Sequence, residues 1–121
     1  KGLSYNSKTI VNRNNTAIAM GSSDLEVFAT PALVALMENA AKQAVENYLP
    51  EGSTTVGAQI QTSHIKPSAL GEEVTATAVL EEVEGRKLTF RLKATDSQGI
   101  VGEGTHIRYI VDISRFMSKL K

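Results

Sequence analysis

Three side chains have the types that a nucleophile-and-base site requires: the hydroxyl of Thr30, the carboxylate of Glu38 and the imidazole of His64. Nucleophilic and acid–base catalysis use groups of these kinds. A histidine with its ordinary pKa of about 6.5 exchanges a proton near neutral pH, as a general base must. The structural alternative for His64, which strand position alone favours, is a half-buried ring bonded to a backbone carbonyl.

Thr30 and Pro31 are residue types that begin helices, as N-cap and as first helical residue. A catalytic role is compatible with this position. The N-terminus of a helix presents free backbone N–H groups and the positive end of the dipole, which stabilise a developing oxyanion. Because proline has no N–H, Ala32 and Leu33 are the candidate donors.

The helix that follows is predicted over Pro31 to Leu49, with Pro50 and Gly52 as breakers. Its apolar residues cover about half of the circumference, which indicates a deeply embedded helix. Glu38 lies at the border of this apolar arc. Lys42, four residues further on, offers an ordinary surface ion pair as the alternative to a catalytic role.

A strand predicted over Thr54 to Ile65 carries His64. Side chains alternate between the two faces of a strand, so His64 shares its face with the even-numbered residues Val56, Ala58, Ile60 and Thr62. This face is mostly apolar and is therefore expected to meet the helix.

The pattern of extended segments and turns predicts one α+β domain over residues 1–121, in which the long helix packs against one face of a curved antiparallel sheet. The four strands after the helix are interpreted as one long meander. Residues 114–121 are predicted to form a short helix or a frayed end. The extended segments are Leu3–Val11, Thr16–Met20, Thr54–Ile65, Glu72–Val83, Arg86–Thr95 and Ile100–Ile113.

The last strand places His106 and Arg108 on one face with Gly102 and Gly104. Arg108 is a candidate for contact with an anion. A solvated or ion-paired strand face is the alternative, and the pattern alone favours it. The paired glycines are typical of a bulge or of close backbone approach, not of a phosphate loop.

Composition excludes several classes of function. Thirteen basic residues balance thirteen acidic ones, so the positive field that nucleic-acid binding requires is absent. No metal site is expected, because the chain has no cysteine, two histidines on separate strands and no ligand motif. No apolar run approaches the ~20 residues of a membrane span, and the lack of cysteine fits the cytoplasm.

The segments VFATPALVALMENAA, TSHIKPSALGEEVTATAVLEEVEGRKLTFRLKA and VGEGTHIRYIVD resemble the hot-dog thioesterases related to the fluoroacetyl-CoA thioesterase. The resemblance runs from about Val27 to Phe116. It implies a hot-dog fold, a homodimer or dimer of dimers with the site at the subunit interface, and hydrolysis of an acyl-CoA. Coenzyme A enters as part of the substrate, and no other cofactor is implied. The resemblance assigns the catalytic set to Thr30, Glu38 and His64, and substrate contacts to Gly57 and Arg108.

Two departures from the fluoroacetate-specialised enzyme bear on the substrate. A pair of lid phenylalanines is replaced by Gly21 and Asp24, and a glycine is replaced by Pro31. The expected substrate is therefore a short acyl-CoA other than fluoroacetyl-CoA. Two other functions remain open: a hot-dog acyl-thioester hydratase or dehydratase, and a non-catalytic acyl-CoA binding module. Candidate partners for the CoA phosphates are Lys66, Arg86 and Lys87.

Overall fold

A computed structural model describes residues 1–120 as a five-stranded antiparallel sheet curled around one long helix. The α+β architecture is therefore confirmed. No helix in this described part is long and apolar enough to cross a membrane. The elements are β1 (Ser4–Ile10), α1 (Ala17–Met20), α2 (Thr30–Glu46), β2 (Ser53–His64), β3 (Glu73–Glu84), β4 (Lys87–Asp96), β5 (Gly99–Asp112) and α3 (Ile113–Ser118).

The strand order is β1-β3-β4-β5-β2, so the predicted four-strand meander is wrong for β2. Strands β3, β4 and β5 are joined by short turns and pair in sequence. The longer connection after β2 instead passes the segment before α2, where Ala69 forms a β-bridge with Val27, and β2 pairs with β5 at the far edge. Glycines permit this pairing. A Cβ on Gly102 would lie 2.6 Å from the Ser63 carbonyl oxygen, and one on Gly104 would overlap the Gln61 carbonyl oxygen.

The core lies between α2 and the concave face of the sheet. Alanines in the helix and in β3 let the two elements approach closely, while larger side chains fill the remaining space. Burying each of the larger apolar side chains contributes about 1.5–3 kcal/mol. Fully buried members include Leu33, Met37, Ala40 and Ala41 from α2, Val74, Ala76 and Ala78 from β3, and Phe90, Leu92 and Ala94 from β4.

Two local predictions need correction. The segment predicted as extended over Thr16–Met20 contains the short helix α1, capped by the Thr16 hydroxyl, which accepts from the Ala19 N–H at 3.2 Å. Gly21 ends α1 in the left-handed conformation, with φ of 73°. Four apolar residues do not distinguish a helical turn from a strand, so the flanking cap and glycine carried the signal. Helix α2 ends at Glu46 and not at Leu49.

Candidate active site

The first residue of α2 and the last residue of β2 meet. Thr30 Oγ1 and His64 Nδ1 are hydrogen-bonded at 2.7 Å. His64 therefore faces the helix, as predicted from the strand pattern. The pair opens onto a cleft of about 240 Å³, whose walls come from the segment before α2 and from the residues after β2, among them Ser22, Ser23, Phe28, Lys66 and Pro67.

Thr30 is not the N-cap of the helix. Ala29 holds that position with extended backbone, and no side chain caps the helix. The Thr30 hydroxyl is instead committed to the histidine. Of the two candidate oxyanion donors, the Leu33 N–H is occupied by the Ala29 carbonyl at 3.0 Å. The Ala32 N–H has no partner in the described residues, so it is the donor still available at this helix end.

Burial lowers the pKa of His64, and interaction with the Lys66 backbone offsets this only in part. The imidazole is therefore neutral at pH 7. Its Nε2 atom is buried and has no hydrogen-bond partner within residues 1–120. A neutral ring bonded to a hydroxyl, with its second nitrogen unused, has the capacity to accept or donate a proton.

Glu38 lies in a second cluster, over the backbone of Gly57. A Cβ on Gly57 would be 2.9 Å from Glu38 Oε2, 3.3 Å from His106 Cε1 and 3.6 Å from Arg108 Nη1. Only glycine leaves this space open. The ion pair considered between Glu38 and Lys42 is absent from the described structure, because Lys42 Nζ binds Glu46 Oε1 at 2.7 Å.

His106 and Arg108 are buried, so their interpretation as a solvated strand face is wrong. Arg108 donates from Nε to the Thr55 hydroxyl at 2.8 Å and from Nη2 to the Thr55 carbonyl at 2.9 Å. Its Nη1 lies 3.2 Å from His106 Nε2. Because arginine has only donors, Nε2 accepts and His106 Nδ1–H donates to the Gln59 carbonyl at 2.8 Å.

Electrostatics keep this cluster in one protonation state. Burial lowers the pKa of His106, and the neighbouring Arg108 charge lowers it further, against opposing effects of the Gln59 backbone and Glu38. Burial also lowers the pKa of Arg108, which the negative charge of Glu38 counters. Near neutral pH the cluster therefore holds a neutral His106 beside a charged guanidinium.

A β-bulge at Ala58 explains why Gly57 and His64, an odd and an even position of β2, point to the same face. The register with β5 shifts between Gly57 and Gln59. Residues before the bulge therefore point inward at odd positions, as Thr55 and Gly57 do, whereas Ile60, Thr62 and His64 point inward at even positions. The predicted inward position of Val56 and Ala58 is wrong. A lone glycine within a strand was the available signal for a bulge.

The two clusters do not touch within one chain. Glu38 makes no hydrogen bond or ion pair with Thr30 or His64 in the described residues. Glu38 lies eight positions after Thr30 in α2, which is about 12 Å along a helix axis. In residues 1–120 no three His, Asp or Glu side chains are grouped as a metal ion requires.

Comparisons with known proteins identify the family of the chain. The profile of a family described as fluoroacetyl-CoA-specific thioesterase matches residues 11–114. The fluoroacetyl-CoA thioesterase of Streptantibioticus cattleyicolor is 40% identical over 96 residues, which span 79% of this chain and 69% of that protein.

Solved structures give the same result. A structure of the fluoroacetyl-CoA thioesterase superposes with a TM-score of 0.92 at 34% identity, covering 98% of this chain and 93% of that one. A hot-dog-like protein from Thermanaerovibrio acidaminovorans reaches 0.90 at 28% identity, covering 98% of this chain and 88% of that one. The hot-dog fold is confirmed, and the chain belongs to the family of fluoroacetyl-CoA-specific thioesterases.

Proposed function

We propose that this protein, an acyl-CoA thioesterase by family, hydrolyses a short acyl-CoA thioester with Thr30, Glu38 and His64 as its catalytic set. The observation that carries the proposal is the 2.7 Å bond between Thr30 and a neutral His64 at the mouth of a cleft. We further propose that it acts in the cytoplasm with no metal or redox cofactor.

The reaction adds water across the thioester: a C–O bond forms at the carbonyl carbon and the C–S bond breaks. Glu38 acts as nucleophile or as the base that activates water, and these two routes stay open. His64 acts as acid/base partner: the neutral ring first takes up a proton released by the attacking water, and the resulting imidazolium gives this proton to the departing CoA thiolate. Thr30 positions or activates the reacting groups through its hydrogen bond to His64. The free Ala32 N–H stabilises the oxyanion.

The separation of the two clusters supports a dimer in which each site draws on both chains. Strand β2 lies at the sheet edge, and its sequence from Ser53 to His64 contains no proline, lysine or acidic residue to prevent pairing. Antiparallel pairing of β2 with its copy, centred near Ile60 and Gln61, brings Gly57 of one chain opposite the partner's His64. Glu38 over Gly57 then faces the partner's Thr30–His64 pair.

The acyl group is proposed to lie in the space over Gly57, beside Arg108. The buried guanidinium is already fixed by Thr55 and His106, so it is preorganised for contact with a substrate. The segment from Gly21 to Glu26 is exposed and contains no aromatic residue over the cleft. We therefore propose a short acyl-CoA other than fluoroacetyl-CoA, although a structure of the related enzyme holds fluoroacetate and CoA.

Thiol release from a panel of short, branched and aryl acyl-CoAs, including fluoroacetyl-CoA, tests the proposal. Glu38→Gln should lower kcat by at least about 100-fold, as the loss of a catalytic base does. Glu46→Gln is the matched control, because Glu46 is an exposed carboxylate of the same helix paired only with Lys42. Binding of acyl-CoA without thiol release by the wild type would favour the binding module, and a hydrated or dehydrated thioester product would favour the hydratase or dehydratase.

A further inference from the structure

Three cations converge on a small cleft between α3 and the turn that joins β3 to β4. The cleft has a volume of about 70 Å³ and is lined by Arg86, Val111, Asp112, Arg115, Phe116 and Lys119. None of the three basic side chains forms an ion pair within residues 1–120. Since the whole chain has a formal net charge of +0, this local concentration of positive charge does not follow from composition.

The backbone that carries these cations is held in place. The Asp112 carboxylate accepts from the Arg115 N–H at 2.9 Å and caps α3. The Ile113 N–H donates to the Gly52 carbonyl at 3.0 Å, which ties α3 to the start of β2. In the turn, the Arg86 carbonyl accepts from the Ile110 N–H at 2.9 Å. Asp112 keeps its negative charge while it caps the helix, so three basic residues and one acidic residue leave the cleft lining with a formal charge of +2.

We propose that this cleft binds a phosphate group of the CoA nucleotide, and this inference rests on the proposed function. Arginine forks bind phosphate oxygens in pairs, and lysine adds a point charge. Phe116 is 37% exposed beside them and offers an aromatic face to the adenine. The cleft is too small for a nucleoside, so the phosphate enters and the base lies outside.

The other two basic candidates from the sequence do not line this cleft. Lys66 Nζ binds the buried carboxylate of Asp96 at 2.6 Å, and Lys87 Nζ lies 4.0 Å from Glu84 Oε1. Of the three residues proposed from the sequence, Arg86 alone lines the α3 cleft.

The cleft lies within reach of the proposed reaction centre. Strand β5 leads from Arg108 to Asp112, about 13 Å along an extended chain, a distance that the extended pantetheine arm can span. The path from Arg108 to the cleft passes the end of the sheet, where the Ile113 N–H donates a hydrogen bond to the Gly52 carbonyl. A substrate whose thioester lies over Gly57 can therefore place its nucleotide on α3.

The test compares one acyl group carried on CoA, on 3′-dephospho-CoA and on pantetheine. In the triple variant Arg86→Ala, Arg115→Ala, Lys119→Ala, kcat/KM for acyl-CoA should fall roughly 100-fold through KM, since several charge-assisted contacts to phosphate are lost. Activity on acyl-pantetheine should match the wild type. Arg13→Ala is the matched control, because Arg13 is an exposed arginine in a turn remote from the cleft.

The dephospho substrate identifies which phosphate binds. If the activity of the wild type on acyl-3′-dephospho-CoA is as low as the activity of the triple variant on acyl-CoA, the 3′-phosphate occupies the cleft. If wild type does not distinguish it from acyl-CoA and the triple variant loses activity on both, the diphosphate does. Unchanged kcat/KM of the triple variant for acyl-CoA, or an equal loss on acyl-pantetheine, would overturn the proposal.

Binding of free CoA, measured by calorimetric titration, separates this inference from the proposed catalysis. The triple variant should bind CoA at least about tenfold more weakly than wild type. Equal affinity would refute the phosphate site even if hydrolysis is observed. Weaker CoA binding by the triple variant, together with no thiol release by the wild type, would instead refute the hydrolytic proposal and support the phosphate site.

Discussion

At the scale of single residues, the proposed catalytic role of His64 predicts how activity responds to pH. Burial lowers its pKa, so the neutral base persists below about pH 6.5, the ordinary value. We expect kcat/KM to stay level from pH 8 down to about 6.5 and to fall at lower pH, as protonation removes the base.

An NMR titration of the imidazole protons measures this pKa directly, because the chain has two histidines and His64→Ala assigns the signals. A His64 midpoint at or above 6.5 would contradict the prediction.

The pKa values of both histidines also predict how stability depends on pH. His64 and His106 have lowered pKa values in the folded state. As pH falls below about 6.5, the unfolded chain therefore takes up protons first and the free energy of unfolding decreases. Urea unfolding at pH 7.5 and 5 should show this decrease, and the double variant His64→Ala, His106→Asn should show a smaller one. An equal decrease in that variant would assign the effect to carboxylates.

At the scale of elements, the close approach of β2 to β5 holds the site together. Gly104 allows the two strands to approach, and Gly57 leaves space for the Glu38 side chain. A Cβ on Gly104 meets the backbone of Gln61 and Thr62, which cannot move without separating the strands. Gly104→Ala should therefore reduce the free energy of unfolding by about 2 kcal/mol or more. A Cβ on Gly57 meets the flexible end of Glu38, so Gly57→Ala should fold well and lose turnover.

Thermal unfolding and thiol release of the two glycine variants, measured side by side, check this contrast. A Gly104→Ala protein as stable as wild type, or a Gly57→Ala protein with full activity, would show that the contacts described for these glycines do not have the stated roles.

At the scale of the whole molecule, the proposed dimer makes each site depend on two chains. Mixing Glu38→Gln and His64→Ala subunits should restore activity, because one of the two sites in a mixed dimer keeps both groups. With random exchange, half of the dimers are mixed, and we expect roughly a quarter of wild-type activity in a symmetric two-chain arrangement. Sites built within single chains would give no recovery, since no chain in the mixture is intact.

The sequence by itself determined α2, the five strands and the candidate residues. Apolar periodicity predicted α2 and all five strands of the sheet to within a few residues, because burial on one face leaves a direct record in the order of side chains. The resemblance pointed to Thr30, Glu38, His64, Gly57 and Arg108. The structure brings Thr30 to His64 and Glu38 to Gly57 and Arg108, while their catalytic roles remain predictions.

Only the tertiary structure decided which strands pair and which way the site residues point. Periodicity along a strand does not name its neighbour, so the pairing of β2 with β5 had no signal in the sequence of β2 alone. One inserted residue at Ala58 exchanges the two faces of the strand, which placed Gly57 inside against the predicted pattern. The burial of His106 and Arg108 also depends on tertiary structure. Polar residues on an alternating strand indicate a solvated face unless partners distant in sequence, here Thr55 and Gln59, satisfy their hydrogen bonds.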